Sequence, residues 1–250
     1  MKIKSILISQ PEPKLESSPY KALSDRQSIK IDFYPFVHVE GLSAPDIRRQ
    51  KIDFSKFDAV IFTSRNAVDN YFRVAEEMRF QVPSSMKYFC QSKAVAYYLQ
   101  KYVVYRKRKI YVGSRSFTDL LPIVRKHKGL RFLLPSSDVL KTEVPNSLDS
   151  AGIDWQRAVL YRTVCSDLSD LENVYYDILV FFSPSGIKSL FENFPDFKQN
   201  DTRIATYGKE TVQAAEAAGL NVQILVPTPE TLSMAVALDK YIQTESGEKK

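Results

Sequence analysis

Hydroxyl-bearing side chains cluster at four points where an apolar run of the sequence ends and a polar turn begins. The clusters are Thr63–Asn66, Ser136–Asp138, Ser183–Gly186 and Gly208–Thr211. Hydroxyls and backbone N–H groups in such turns donate hydrogen bonds to anions, and a helix that begins there adds a partial positive charge. Because Ser, Thr and Asn are also the preferred caps of any helix, simple capping and a shared anion-binding site remain alternatives.

Two tyrosines extend this set of polar groups. Tyr161 lies in the alternating segment VLYRTV, which predicts a connecting strand from which the phenol can point into a cleft between domains. A phenol donates a proton or a hydrogen bond without being charged at neutral pH. Packing between the connecting strands is the alternative for Tyr161. Tyr207, directly before Gly208, is a weaker candidate that we expect to pack on a sheet.

Other familiar catalytic patterns are missing from the sequence. The chain has 8 glycines and no GxGxxG fingerprint, which argues against dinucleotide binding. His38 and His127 lack the spacing of a metal site. Because these two are the histidines of the chain, there are few candidates for the base of a Ser–His–Asp triad. Cys90 and Cys165 form no CxxC pair, so we predict neither a disulfide framework nor a metal site. This cysteine usage favours a reducing compartment.

The composition favours a cytoplasmic protein without membrane segments. The 250 residues, 44% of them hydrophobic, can form one large core or two modest ones. The first apolar stretch ends after Ile8, which is too short for a signal peptide, and no apolar run is long enough to span a bilayer. A net charge of +6 is a mild bias towards anionic partners. The basic cluster Arg106–Lys109 lacks a surrounding nucleic-acid motif, so a solvated loop or an edge-strand gatekeeper is the favoured interpretation.

An internal repeat organises the chain. FDAVIFTSRNAVDNYF at 57–72 returns 119 positions later as YDILVFFSPSGIKSLF at 176–191. Two further pairs match in the same way, 88–103 with 206–222 and 5–39 with 131–164. Each segment reads as strands alternating with helices, which predicts parallel, doubly wound sheets.

The connections between the repeated segments divide the chain into domains. Only the short turn KHKGL separates the middle segments, so these should share a domain, and the two ends of the chain should form the other. We therefore predict two doubly wound, flavodoxin-like α/β domains joined by a two-stranded β ribbon. The predicted bounds are 1–35 plus 166–250 for domain 1, 40–158 for domain 2, and 36–39 and 159–165 for the connecting strands. The tail QTESGEKK should be disordered.

Together, the repeat and the segments VIFTSRNAV, VFFSPSGIKSLF, IATYGKETVQAAEAAGLNV and VLYRTV resemble the uroporphyrinogen-III synthase family over nearly the whole chain. The resemblance implies two α/β domains joined by a ribbon, the first built from both chain ends. It also implies a cyclising lyase that converts the linear tetrapyrrole hydroxymethylbilane into uroporphyrinogen III, with inversion of ring D and loss of water, and without a metal or organic cofactor.

The resemblance assigns roles position by position. It implies that Tyr161 is the catalytic proton donor. Two departures from the family pattern stand out: Ser9–Pro11 replaces a TRP-like turn, and the other copy of the Gly-x-x-Thr turn reads Cys90–Lys93, where Lys93 adds a cation. The predicted substrate-binding residues are Thr63, Ser64, Arg65, Asn66, Lys93, Ser136, Ser137, Ser183, Pro184, Ser185, Gly186, Tyr207, Gly208 and Thr211.

The predicted partner is a small polycarboxylate tetrapyrrole, with no nucleic acid and no membrane, and the protein should be a monomer. A non-catalytic two-domain protein that binds a tetrapyrrole or another anion is the alternative. An RNA-binding module that uses Arg106–Lys109 is a third hypothesis.

Overall fold

The computed structural model describes residues 3–13, 18–245 and 247. The chain folds into two compact units, unit 1 with Met1–His38 and Val164–Lys250, and unit 2 with Val39–Thr163. Within the described ranges, every helix is too short or too polar to cross a bilayer.

Strands and helices alternate along both units. The strands are β1 Ser5–Ile8, β2 Lys30–Phe33, β3 Val37–Gly41, β4 Ala59–Phe62, β5 Lys87–Cys90, β6 Ile110–Val112, β7 Phe132–Ser137, β8 Trp155–Cys165, β9 Ile178–Phe181, β10 Arg203–Tyr207 and β11 Val222–Val226. The helices are α1 Pro19–Gln27, α2 Ala44–Arg49, α3 Arg65–Glu77, α4 Lys93–Leu99, α5 Phe117–Arg125, α6 Glu143–Ser150, α7 Pro184–Asn193, α8 Lys209–Ala217 and α9 Met234–Glu245, with short 3₁₀ turns at Phe54–Lys56 and Ser169–Leu171.

Unit 1 is a five-stranded sheet in the order β11-β10-β9-β1-β2, and its neighbouring strands run parallel. Apolar residues of α1 and α9, such as Leu23 and Leu238, cover one face. Residues of α7 and α8, such as Leu190 and Ala215, cover the other. A sheet buried on both faces requires continuous apolar strands, which explains runs such as Ile178–Phe181.

Unit 2 contains the six-stranded sheet β3-β8-β7-β4-β5-β6, in which β8 to β6 are parallel neighbours. Helices α2, α3 and α4 cover one face of the sheet, and α5 and α6 cover the other. Both units are doubly wound, so the predicted fold class is confirmed.

Equivalent strands of the repeat have the same neighbours in both sheets. We match β4, β5 and β6 with β9, β10 and β11, and β7 and β8 with β1 and β2. With this matching, the five strands have the same order in both sheets. Asp58 and Asp177 repeat for a structural reason. The Asp58 carboxylate accepts a hydrogen bond from Arg131 N, and that of Asp177 accepts from Lys4 N and Ser5 N, so each ties two neighbouring strands together at their amino ends.

The strands β3 and β8 carry the chain from one unit to the other and are neighbours in the sheet. Leu42 N donates to Leu160 O at 2.8 Å, and Ser166 N donates to Phe36 O at 2.9 Å. The residue numbers of one strand therefore fall as those of the other rise. This is the antiparallel pattern that a two-stranded ribbon requires.

The sheet register corrects one part of the predicted repeat. Cys90 pairs with Phe62, and Thr206 pairs with Phe181, the repeat partner of Phe62. Cys90 is therefore equivalent to Thr206 and not to Gly208. The equivalent of Gly208 is Ser92, because both immediately precede a helix, and Lys93 matches Lys209 instead of Thr211.

Two further expectations are wrong. Ser136 and Ser137 are the last residues of β7 and Asp138 follows them, but this cluster does not begin a helix, since α6 starts only at Glu143 and its N-cap residue Thr142 makes no side-chain cap bond. In the tail predicted to be disordered, Gln243–Glu245 are the last residues of α9, because Leu238 and Ile242 hold that helix in the core. Ser246 and residues 248–250 of that tail lie outside the described residues.

Candidate functional site

A cavity of about 390 Å³ opens in unit 2 beyond the carboxyl ends of the parallel strands, where doubly wound folds bind their ligands. Most of its lining side chains carry a hydroxyl, an amide or a charge. The lining residues are Thr63, Ser64, Gln91, Arg115, Ser116, Phe117, Ser136, Ser137, Val139, Leu140, Lys141, Glu143, Val144 and Tyr161. Five predicted site residues, Thr63, Ser64, Ser136, Ser137 and Tyr161, therefore meet at one cavity.

Tyr161, one of these five predicted residues, is deeply buried, with 7% of its surface exposed. Its phenol oxygen lies 3.1 Å from Ser64 Oγ. Burial raises the pKa of the Tyr161 phenol above its usual value, and the hydrogen bond with Ser64 offsets part of this rise. The phenol is therefore protonated at neutral pH and can act as a donor.

A bulge in β8 sets the position of Tyr161. Ser136 pairs with Val159, but the next residue, Ser137, pairs with Tyr161, so Leu160 is an extra residue on β8. The carbonyl of Leu160 accepts hydrogen bonds from Leu42 N at 2.8 Å and from Arg73 Nη2 at 3.2 Å. The bulge is thus held by the residue that follows β3 and by α3.

Ser64 has two roles at the start of α3. Its Oγ accepts a hydrogen bond from Ala67 N at 3.1 Å, which makes it the N-cap, and it also contacts the Tyr161 phenol. The backbone of Ser64 is extended, as expected for a cap. One serine therefore begins the helix and orients the candidate proton donor.

Arg157 holds the loop after β7, a role that no pattern in the sequence indicated. Its Nε donates to Ser136 Oγ at 2.9 Å, and its Nη2 donates to the carbonyls of Ser137 and Asp138, both at 2.7 Å. Asp138 N in turn donates to Tyr161 O at 3.0 Å. The loop that lines one side of the cavity is therefore connected to β8 at two points.

The start of α5 also lines the cavity, which no pattern in the sequence indicated. Ser116 and Asp119 form a capping box, and the Asp119 carboxylate accepts from the backbone N–H groups of Ser116 and Arg115. These bonds lower the pKa of Asp119. Arg115 and Lys141 add two cations to the lining and Glu143 adds one carboxylate, so the balance of charge favours an anion.

Three predicted residues of unit 2 do not line the cavity. Arg65, Asn66 and Lys93 are exposed at the starts of α3 and α4. The Arg65 guanidinium lies 5.5 Å from the centre of the Tyr98 ring, which draws it towards α4. These side chains lie in the first turns of their helices and face solvent, a direction that a linear motif does not reveal.

The described residues contain no group of three or more His, Cys, Asp and Glu side chains that could hold a metal ion. His127 Nδ1 contacts Ile123 O at 3.0 Å and its ring packs against Phe89, while His38 Nδ1 contacts Ser166 Oγ at 3.1 Å. Both histidines thus have structural partners.

Comparison with models of known protein families shows the family of this chain. The model described as uroporphyrinogen-III synthase HemD matches residues 18–235, which is most of the chain. The protein belongs to the uroporphyrinogen-III synthase family. Its function lies in tetrapyrrole biosynthesis.

Solved structures of uroporphyrinogen-III synthases share this fold. The enzyme from Helicobacter pylori 26695 has a TM-score of 0.63 and 17% identity, with 97% of this chain and 100% of that chain covered. A mutant enzyme from Thermus thermophilus has a TM-score of 0.55 and 15% identity, with 98% and 99% covered. None of the curated protein sequences compared with this chain matches it significantly.

In this uroporphyrinogen-III synthase family member, the predicted residues of unit 1 lie at two helix starts. Ser183 caps α7 by accepting from Gly186 N at 3.3 Å, and Pro184 and Ser185 follow in the first turn. Gly186 is buried against Phe181, so that a Cβ there would lie 3.3 Å from the Phe181 ring.

The second helix start of unit 1 is Gly208, which precedes α8 with a φ of 87° that disfavours other residues. Tyr207 is half-exposed and stacks on Phe182, with ring centres 5.9 Å apart, so its packing on the sheet is as expected. Thr211 is buried at 2% exposure, which makes a direct contact with a ligand depend on movement of the helix start.

The departure from the family at Ser9–Pro11 follows β1 in unit 1. Ser9 N donates to Val180 O at 3.0 Å, which continues the sheet by one residue, and Gln10 and Pro11 are exposed. The altered turn therefore leaves the sheet intact.

Proposed function

We propose that this protein closes hydroxymethylbilane to uroporphyrinogen III, with inversion of ring D and loss of water. The observation that carries this proposal is a buried, protonated phenol, Tyr161, beside a cavity lined with hydroxyls in a chain of this family. The reaction makes the protein a cyclising lyase, of the hydro-lyase type.

Tyr161 acts as the proton donor at the first step. The phenol proton passes to the terminal hydroxyl of the substrate, the C–O bond breaks, and water leaves behind an azafulvene cation. The phenolate that remains is stabilised by Ser64, whose hydroxyl lies 3.1 Å away and can donate to it. The positive end of the α3 dipole favours the same negative charge.

Ring closure follows at the substituted carbon of ring D and passes through a spiro intermediate. Rearrangement of this intermediate inverts the ring, and the proton released when the final pyrrole is restored returns to the phenolate. No residue has to provide strong acid or base catalysis beyond this exchange. The larger task is to hold a flexible chain in one curled shape, which is catalysis by orientation.

The polar lining of the cavity supports this orienting role. Hydroxyls of Thr63, Ser116 and Ser136 and the cations of Arg115 and Lys141 suit the carboxylates of the substrate. In unit 1, the helix starts at Ser183 and Gly208 are proposed as further carboxylate-binding points, because their first N–H groups have no partner within the helix.

We also propose that the protein is a cytoplasmic monomer. Size-exclusion chromatography with light scattering measures the mass directly, and 28.6 kDa is the value expected for a single chain. A mass of twice this value would contradict the monomer.

The decisive experiment is an assay with freshly generated hydroxymethylbilane, without added cofactor and with a chelator. The substrate closes by itself to the type I isomer, so chromatography of the isomers separates catalysis from the spontaneous reaction. We expect the type III isomer in proportion to the protein added. Type I alone at every protein concentration would reject the enzyme and favour the alternative, a non-catalytic protein that binds the tetrapyrrole and releases it unchanged.

A further inference from the structure

The positive charge of this protein is concentrated in one part of the sequence. Residues 78–118 contain nine lysines and arginines and no aspartate or glutamate, although the net charge of the whole chain is only +6. Four of these cations, Arg106–Lys109, lie directly before β6, which is an edge strand of the sheet of unit 2. The charge is therefore local, and it surrounds the segment 101–108, which we call the basic loop.

The basic loop displays apolar side chains among its cations. Val104 is 81% exposed and Tyr105 is 49% exposed, and Arg106, Lys107 and Arg108 are also exposed. An aliphatic side chain with so much free surface has no role in the core of its own unit. Exposed apolar residues beside cations are the composition with which peripheral proteins enter the interface of an anionic membrane.

The ends of the basic loop are fixed, so its tip is presented in a defined way. Val103 packs against the core of unit 2, and Lys109 N and Ile110 N both donate to Arg106 O, at 2.8 and 3.1 Å. The Lys109 ammonium donates to Ser84 O, and the Tyr111 hydroxyl donates to Arg108 O at 3.1 Å. The backbone at the ends of the loop therefore loses little conformational freedom on docking, which favours binding.

We propose that the basic loop docks this protein onto the surface of an anionic lipid bilayer, which replaces the expectation from the sequence that the protein has no membrane partner. Val104 and Tyr105 enter the headgroup region, and Arg106, Lys107 and Arg108 contact lipid phosphates. Lys101 adds a further charge, which it shares with Asp69 at 3.7 Å. The attraction is electrostatic at long range and apolar at contact.

The same loop is less suited to a nucleic acid, which would need a run of free aromatic faces for its bases, because one face of Tyr102 is covered and Tyr105 is left to stack. Phe72 stacks on one face of Tyr102, with ring centres 4.5 Å apart and planes at 4°. The ammonium of Lys101 lies over Tyr102 and over Tyr98, 5.3 and 5.6 Å from the ring centres. Val104, the most exposed apolar residue of the loop, cannot stack on a base. These contacts favour lipid as the partner.

Docking through the basic loop leaves the cavity of unit 2 accessible. The loop leads into the amino end of β6, whereas the cavity lies at the carboxyl ends of the parallel strands. The loop and the cavity therefore lie at opposite ends of the strands of one sheet. Docking is therefore independent of the reaction proposed above.

Co-sedimentation of the full chain with vesicles tests the proposal. Vesicles of phosphatidylcholine mixed with phosphatidylglycerol should bind the protein, and vesicles of phosphatidylcholine alone should not. Binding should weaken as salt is added, because the lipid charges are screened. The triple variant Arg106→Gln, Lys107→Gln, Arg108→Gln should bind about 100-fold more weakly, at about fivefold for each charge lost.

Two further variants separate the basic loop from the net charge. Val104→Ser with Tyr105→Ser keeps every charge and should weaken binding by about tenfold, since apolar area no longer enters the interface. Arg125→Gln, Lys126→Gln, Lys128→Gln removes three exposed cations from the end of α5 and its following turn, and should bind within about twofold of the unchanged protein. Thermal unfolding identifies any variant with a disturbed fold.

Three results would overturn the proposal. The first is a failure to bind anionic vesicles at low salt, and the second is an equal loss in the two triple variants, which would indicate attraction by net charge alone. The third is binding to a single-stranded RNA oligonucleotide without binding to vesicles, which would assign the basic loop to nucleic acid.

Discussion

Ser64 Oγ lies 3.1 Å from the phenol oxygen of Tyr161, although the two residues are 97 positions apart in the chain. The same Oγ caps α3 through Ala67 N. A helix start and a candidate proton donor are therefore linked through one hydroxyl. Negative charge that develops on the phenol lies at the positive end of α3, where it is most favourable.

Removal of the phenol hydroxyl tests the role of Tyr161. Tyr161→Phe should lower turnover by about 10²-fold or more, the scale of a positioned general acid, while the melting temperature changes little because the ring remains. Tyr98→Phe is the matched control, since the Tyr98 hydroxyl bonds to Asp69 on the surface between α3 and α4. Equal turnover in both variants would reduce Tyr161 to a packing residue. The measurement is the initial rate of type III formation.

The two roles of Ser64 can be separated by comparison with Ser92. Both serines cap a helix of unit 2 through a backbone N–H group, but only Ser64 contacts Tyr161. Ser64→Ala and Ser92→Ala should each cost about 1 kcal/mol of unfolding free energy, as expected for a lost cap. Only Ser64→Ala should also lower turnover. A similar decrease in rate for Ser92→Ala would mean that the loss of stability alone explains both.

Arg157 should position the loop that lines the cavity. Arg157→Gln leaves Ser136 Oγ and the carbonyls of Ser137 and Asp138 without their charged donor, and we expect kcat/KM to fall by about tenfold or more. Arg162→Gln, on the same strand, removes only an exposed pair with Glu40 and should be neutral. Steady-state kinetics of both variants measures the difference. If Arg157→Gln has unchanged constants, the loop does not need this anchor.

The helix start at Ser183–Gly186 provides the test for unit 1. Ser185→Ala keeps the backbone N–H of the first turn of α7, and Ser185→Pro removes it. If this N–H binds a carboxylate, the proline variant should bind the tetrapyrrole product more weakly than the alanine variant. Hydrogen exchange of the unchanged protein with product should also show protection at this turn. Equal affinities and no protection would exclude this turn from the site.

Two tyrosines that are buried or partly buried predict a loss of stability in alkali. Burial raises the pKa of Tyr20 and of Tyr88 to about 12, from 10.0 for a free phenol. A raised pKa in the folded state contributes stability that is complete below pH 10 and is lost as the pH rises through about 12. Urea unfolding over this range should show a falling free energy, and Tyr88→Phe should make the fall shallower. A free energy that stays constant up to pH 12 would contradict this.

Local patterns in the sequence determined the repeated strand-turn-helix units and their helix starts. Buried parallel strands read as apolar runs such as Ala59–Phe62, and the caps Ser64 and Ser183 follow directly after such runs. Both features depend on neighbouring residues only. The fold class could therefore be predicted, as could the position of the hydroxyl clusters at the carboxyl ends of strands.

Only the tertiary structure decided which of these groups share a cavity. The bulge at Leu160 sets the register that places Tyr161 beside Ser137, and the register of β4 with β5 moves Lys93 away from the position of Thr211. Arg157 reaches the loop after β7 from the neighbouring strand, and Arg115 reaches the cavity from the start of α5. Strand register and side-chain direction follow from pairing between distant segments and from burial, which no local pattern of residues encodes.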